Sequence, residues 1–221
     1  MASADALADA LADAYDGLTA AVAGRGDDDL LRPTRCRGWL VCDLLQHVLL
    51  DAQRALVTLA TPADGPPDVD HAGYWTATPT GFTDGHATFV RRAAAAYARP
   101  SGVVTVWRDT APAAVRAARA ADPAGHVATQ GHVLTVPDFL ATLVTEAVVH
   151  HLDLVADLPG AGGPGRAATD VALSTLDALA GGLPSAWEPT EALLKGTGRE
   201  PLTGADRALL GAAAGRFPLI G

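Results

Sequence analysis

The chain has 221 residues, 49% of them hydrophobic, and a formal net charge of −9 at pH 7. That length suits one large domain, or a domain of about 150 residues with a small companion. The acidic balance argues against nucleic acid and anionic membrane as partners, because both require basic patches. No apolar run reaches the roughly 18 residues of a membrane span, and two cysteines, Cys36 and Cys42, are too few for a disulfide scaffold. One lysine stands against fifteen arginines in a chain rich in Ala, Gly and Pro, a bias that fits a GC-rich bacterial genome.

Residues 3–24 are predicted as the first helix. Leu7, Leu11, Leu18 and Val22 recur with helical period, Ala14 and Tyr15 fill the stripe, and Asp5, Asp9, Asp13 and Asp16 form the solvated face. This acidic, amphipathic start lacks the basic region and apolar core of a secretion signal, which predicts a cytoplasmic protein. Gly24-Arg25-Gly26 closes the helix, and Asp27, Asp28 and Asp29 begin a turn or cap a short helix. A loop from Pro33 to Gly38 leads to a second helix from about Leu40 to Leu59, on Val41, Leu44, Leu45, Val48, Ala52, Ala55, Leu56 and Leu59. His47 lies at the edge of that stripe, with Asp43 and Asp51 four residues to either side. Alone it reads as a half-exposed flanking histidine, yet a histidine at that edge reaches into a bundle interior. Cys36 and Cys42 read as packing residues, neither with a histidine at nucleophile–base spacing.

Residues 61–79, rich in Pro, Gly and Asp, read as a long surface loop anchored by Tyr74 and Trp75. A third helix runs from roughly Thr83 to Arg99, with Phe89, Val90, Ala94 and Tyr97 inward, until Pro100-Ser101-Gly102 interrupts it. Val103 to Ala121 admits two readings: a short strand through VVTVW, or a helix running into AAVRAARAA beyond Pro112. Helix is preferred. Residues 125–136 predict a hairpin turning at Gln130-Gly131. After Pro159 comes the linker AGAGGPGR, then a helix near Ala167 to Leu183, a strand-like EALLKGTG, and a short helix from Thr203 to about Ala214. The expected organisation is four long helices and a compact mixed tail, divided into residues 1–158 and 159–221.

The stretch from Pro137 to Asp157 organises the rest. It predicts one long helix, with Pro137 suited to the first helical position and Pro159-Gly160 ending it. Apolar residues cover most of its circumference, so it is expected to be buried. Glu146 and His150, four apart, share a face, and Thr142, Asp153 and Asp157 lie close to it. The segment holds no Lys and no Arg. A buried carboxylate without a cation is costly, so Glu146 needs a remote arginine, a raised pKa or a metal ion. A Glu and a His one turn apart supply two of the three protein ligands of an open zinc site; the alternative is a Glu146–His150 hydrogen bond in an ordinary core.

Three segments together resemble one family. Arg35-Cys-Arg-Gly-Trp39 with Asp43-Leu-Leu-Gln-His47, then Glu146-Ala-Val-Val-His150-His-Leu-Asp153-Leu, then Leu194-Lys-Gly-Thr-Gly198-Arg199-Glu-Pro-Leu202 match, in order and spacing, the mycothiol-dependent maleylpyruvate isomerase family of the DinB-like superfamily. One departure is Arg37, where that family usually has proline before Gly-Trp. The resemblance implies a mainly α protein: a DinB-like four-helix bundle with a small α+β C-terminal section. It implies Zn2+ or another divalent metal on His47, Glu146 and His150, with Asp153 behind the ligands. His151, about 100° round the helix from His150, is read as structural or rim. It further implies mycothiol as cosubstrate, a small-molecule electrophile as partner, Arg199 as a catalytic carboxylate clamp and an actinobacterial source; Arg35 and Trp39 are placed near the entrance. The alternatives are Arg199 as a surface arginine in a turn and Trp39 as a core anchor of the second helix, the latter preferred. Isomerase and S-transferase chemistry, monomer and homodimer all stay open. So do a metal enzyme of specialised metabolism that does not use mycothiol and a metal-binding module without turnover.

Overall fold

The computed structural model describes residues 2–77 and 84–220. The start of the expected third helix at Thr83, and residues 78 and 79 of the expected loop, lie outside them. The fold is mainly helical. Helices α1 (Ala4–Val22), α3 (Val41–Leu59), α6 (Gly102–Ala120) and α7 (Val136–Val155) form a four-helix bundle with ring order α1–α6–α3–α7. Short α2 (Asp27–Leu30) precedes α3, and α5 (Asp84–Ala95) lies against the outside of α3. Residues 103–121, open to two readings in sequence, thus supply a full bundle member. Pro112 inside α6 removes one backbone donor without ending the helix.

Local chemistry sets the ends. Ser3 accepts from the Ala6 amide to start α1, and Thr135 accepts from the Asp138 amide to start α7. Between α6 and α7 lies an antiparallel hairpin, β1 (His126–Thr129) and β2 (His132–Thr135), in register Val127 with Leu134. Its turn is the expected Gln130-Gly131, with φ of +48° and +86°. Positive φ at both central residues is the type I′ geometry that matches strand twist.

The bundle core holds Leu7, Leu11 and Leu18 of α1, Leu44, Leu45 and Leu49 of α3, Trp107 of α6, and Phe139 and Leu140 of α7. Trp107 meets Tyr15 edge-on at 5.0 Å and its indole N–H donates to Thr19 Oγ1 at 2.9 Å, satisfying the one polar atom that its burial brings in.

Several expectations are corrected. Phe89 is 55% exposed; Val90 and Ala94 carry the contact of α5 instead. Residues 61–77 are pinned to the hairpin by the Ala63 amide on His126 O (2.8 Å) and the Asp68 amide on Val133 O (3.0 Å), and include short α4 (Gly73–Ala77). Asp13 does not simply face solvent: its carboxylate accepts from the Ala168 amide at 3.0 Å. There it caps α8 (Arg166–Ala180), whose own N-cap, Gly165, has no side chain to do so. The strand-like EALLKGTG belongs to helix α9 (Pro189–Gly196). Pro189 in the first turn, and the Glu188 amide donating back to Glu191, are helix-start features that the strand reading passed over. Among the described residues the tail is helical, with α10 (Gly204–Leu210) and a 3-10 turn (Gly211–Arg216) after α9, and the strands lie before α7 instead. α8 packs on α7 and α1, and α9 on α8. No helix among the described residues is long and apolar enough to cross a membrane.

Candidate metal centre

Glu146 and His150 stand one turn apart on α7, and α3, adjacent in the ring, brings His47 to the same point. Both imidazoles address one carboxylate oxygen: His47 Nε2 is 3.0 Å and His150 Nε2 3.3 Å from Glu146 Oε1. The three ligand atoms lie within 4.8 Å of one another. His47 and His150 are buried, and the Glu146 side chain is 21% exposed, so the group opens on one side. Burial disfavours the Glu146 charge, but the His150 and His47 imidazoles prevail and hold its carboxyl well below the usual range. Burial likewise opposes a charge on His150, and Glu146, Asp153 and Cys36 overcome it, raising the imidazole well above its ordinary value.

The compensation of Glu146 is therefore histidine, not arginine. Arg54, which feels the Glu146 charge, is occupied: it grips Asp51 Oδ1 through Nε (3.3 Å) and Nη2 (3.1 Å), donates to Thr129 Oγ1 and lies over the Phe139 ring.

Behind His150, Asp153 is fully buried, with Oδ2 at 3.2 Å from His150 Nδ1. An Nδ1–H bonded to that carboxylate leaves Nε2, on the Glu146 side, as the nitrogen that can release its proton and ligate. Arg199 closes on Asp153 from the tail through Nε (3.3 Å to both oxygens) and Nη2 (3.0 Å), while Nη1 donates to Thr197 O. Burial would raise the Asp153 carboxyl, but His150 and Arg199 bring it down to about 2. The expected carboxylate clamp thus holds a carboxylate of the protein itself.

Arg35 sits in the loop before α3 and caps the far end of α7. Its amide donates to Asp153 O at 3.1 Å and its Nη1 to Leu152 O at 3.0 Å, a cation on carbonyls that a helix end leaves unpaired. The next turn, Cys36 to Trp39, is closed by the Trp39 amide on Cys36 O with Gly38 at φ +79°. Arg37 occupies its second position, where proline is favoured in such turns. Trp39 is buried, its ring 5.4 Å from that of His47.

Two participants were missed in sequence. Cys36 has Sγ at 3.3 Å from Asp153 Oδ2 and 3.8 Å from His150 Nδ1, so it is not a mere packing residue and it does have a histidine beside it, one 114 positions along the chain. Cys36, His150 and Asp153 form a second set of close donor atoms, but the Arg199 guanidinium already supplies a cation to Asp153, so this set does not call for a metal. His86 of α5 has Nε2 at 3.4 Å from His47 Nδ1; burial, then His47, depress its pKa. Cys42 is the packing thiol expected, pushed up to about 11 by burial and Asp43. His151 faces away from the group, buried, donating from Nε2 to Gly162 O at 3.0 Å.

Two imidazoles and a carboxylate converging from two helices, with one side open, fit the donor set of a catalytic zinc site. No curated protein and no solved structure matches the chain. Residues 3–155, which contain all three of these side chains, match the mycothiol maleylpyruvate isomerase N-terminal domain, and the chain belongs to that family.

Proposed function

We propose that the protein is a zinc- and mycothiol-dependent enzyme that adds a thiol sulfur to an electrophilic small molecule, as a maleylpyruvate isomerase-like enzyme or a thiol S-transferase. The observation that supports this best is the convergence of His47, Glu146 and His150 on a partly open side of the bundle. Zinc held by these residues would keep a bound thiol as thiolate at pH 7, although a free thiol has a pKa near 8.5. Asp153 and Arg199 keep His150 in the ligating tautomer, Trp39 forms the apolar wall beside His47, and Arg35 fixes the loop that carries Trp39 to the C-terminal end of α7. Three of the five N–H groups of Arg199 are engaged on Asp153 and Thr197, so this arginine acts on the reaction first through Asp153. In this reading residues 1–158 hold the metal, and residues 159–221 serve it through Arg199.

Sulfur adds to a conjugated double bond, the bond rotates as a single bond, and sulfur departs: the net result is isomerisation with the thiol regenerated. If the adduct is released instead, the thiol is consumed. The same side chains serve both outcomes. Metal analysis of purified protein tests the site: close to one zinc per chain is expected, and none in His47→Ala. Full zinc content in that variant would remove His47 from the site. Incubation with mycothiol and either maleylpyruvate or a haloarene then separates isomerisation from conjugation. Equal turnover without mycothiol would point to a metal enzyme of another class.

A further inference from the structure

Resting on the metal site proposed above, we propose that His86 is the positioning residue of His47: it accepts the Nδ1 proton of His47 and so holds the Nε2 lone pair towards the ligand cluster. The two rings meet edge-on, at 88° with centroids 5.5 Å apart, and His86 Nε2 lies 3.4 Å from His47 Nδ1. A ligating imidazole uses one nitrogen for the metal and needs a partner for the N–H of the other. For His150 that partner is Asp153. For His47 the structure offers His86.

The placement has a cause in sequence. His86, Val90 and Ala94 recur every four residues, so they share one face of α5. Val90 is fully buried and Ala94 nearly so, and α5 packs on α3. The apolar pair therefore presses the helix onto α3, and the next residue up the same stripe meets His47. Trp39 stands against the His47 ring at 5.4 Å and His150 at 4.7 Å, which hinders rotation of the ring away from His86.

The two ligating histidines are thus supported unequally. His150 leans on a carboxylate backed by a guanidinium; His47 leans on a second imidazole. A carboxylate partner makes a histidine the stronger donor, so His47 is the weaker of the two ligands and the one governed by a separate element.

Zinc affinity, measured by competition with a chromophoric chelator on metal-free protein, tests this. His86→Phe keeps the ring and loses the acceptor, and its affinity is expected to fall by about ten- to a hundredfold. His86→Gln carries an oxygen close to the position of Nε2 and is expected to stay within roughly threefold of the original protein, since the acceptor is what the outer partner contributes. The melting temperature of the metal-free protein should be alike in all three. Equal affinity in all three, or equal loss in both variants, overturns the proposal. Should His86→Phe not fold, nitrogen-15 NMR of the zinc-loaded original protein decides: a coupling across the hydrogen bond between His47 Nδ1 and His86 Nε2 is expected, and its absence overturns the proposal. Failure of the original protein to take up zinc would instead bring down the metal reading on which this inference rests.

Discussion

Two acid–base clusters in this molecule solve one problem in opposite ways. In the tail, Asp206 and Glu191 face Lys195, whose Nζ lies within hydrogen-bond distance of both and over the Trp187 ring. The cation is built into the chain, and the cluster is complete; the Trp187 indole N–H and the Thr203 amide and hydroxyl complete the coordination of Asp206. In the bundle, the partners of Glu146 among the described residues are His47 and His150. An imidazole is charged only while it holds its second proton, so these partners can give up their protons and accept a cation from outside. A lysine seals its carboxylate pair; two histidines leave the single carboxylate of Glu146 able to share a metal.

Metal removal should separate the clusters most strongly. Zinc that binds the folded chain alone stabilises it by about 4 kcal/mol at a thousandfold excess over Kd. Chelation is therefore expected to lower the melting temperature of the original protein and leave Glu146→Gln unmoved. A chelator effect of equal size in Glu146→Gln would break the comparison. A smaller effect sharpens it from behind the ligands: Asp153→Asn should weaken zinc binding about ten- to a hundredfold, read by chelator competition. Unchanged affinity would reduce Asp153 to a partner of Arg199 alone.

The smallest effect is expected in acid. Lys195 holds Asp206 and Glu191 below their ordinary values of 3.8 and 4.5. Carboxyls depressed in the folded state stabilise it above those ordinary values, and the gain is lost as pH falls towards the depressed ones. The original protein should therefore lose melting temperature between pH 5 and pH 3. Lys195→Met should melt lower at pH 7 and show a flatter decline over the same interval. An identical decline would show that Lys195 does not set the acid response.

Much of this was legible beforehand for a physical reason: it depends on neighbours in sequence. Helical period placed α1, α3 and α7, Gln130-Gly131 placed the hairpin turn, and the four-residue spacing of Glu146 and His150 placed both on one face. Recognition of His47 as their partner required the resemblance, because 99 residues separate it from Glu146. Long separations in sequence likewise hid Cys36, the capping of α8 by Asp13 and the grip of Arg199 on Asp153. His86 was different. Its stripe with Val90 and Ala94 was available, but Phe89 drew the inward assignment, and its large apolar side chain is 55% exposed. In α9 the strand reading gave weight to the run of residues and too little to the Glu-Pro start.

The seclusion of Lys195 has a practical corollary. It is the only lysine in the sequence, and its ammonium is enclosed by Asp206, Glu191 and Trp187. Amine-directed reagents, whether biotin esters, cross-linkers or enzymes that modify lysine, therefore find no side-chain handle on the native surface. Under native conditions no lysine side chain of these 221 residues would be labelled, and any ester that reached Lys195 would report that the tail had come apart.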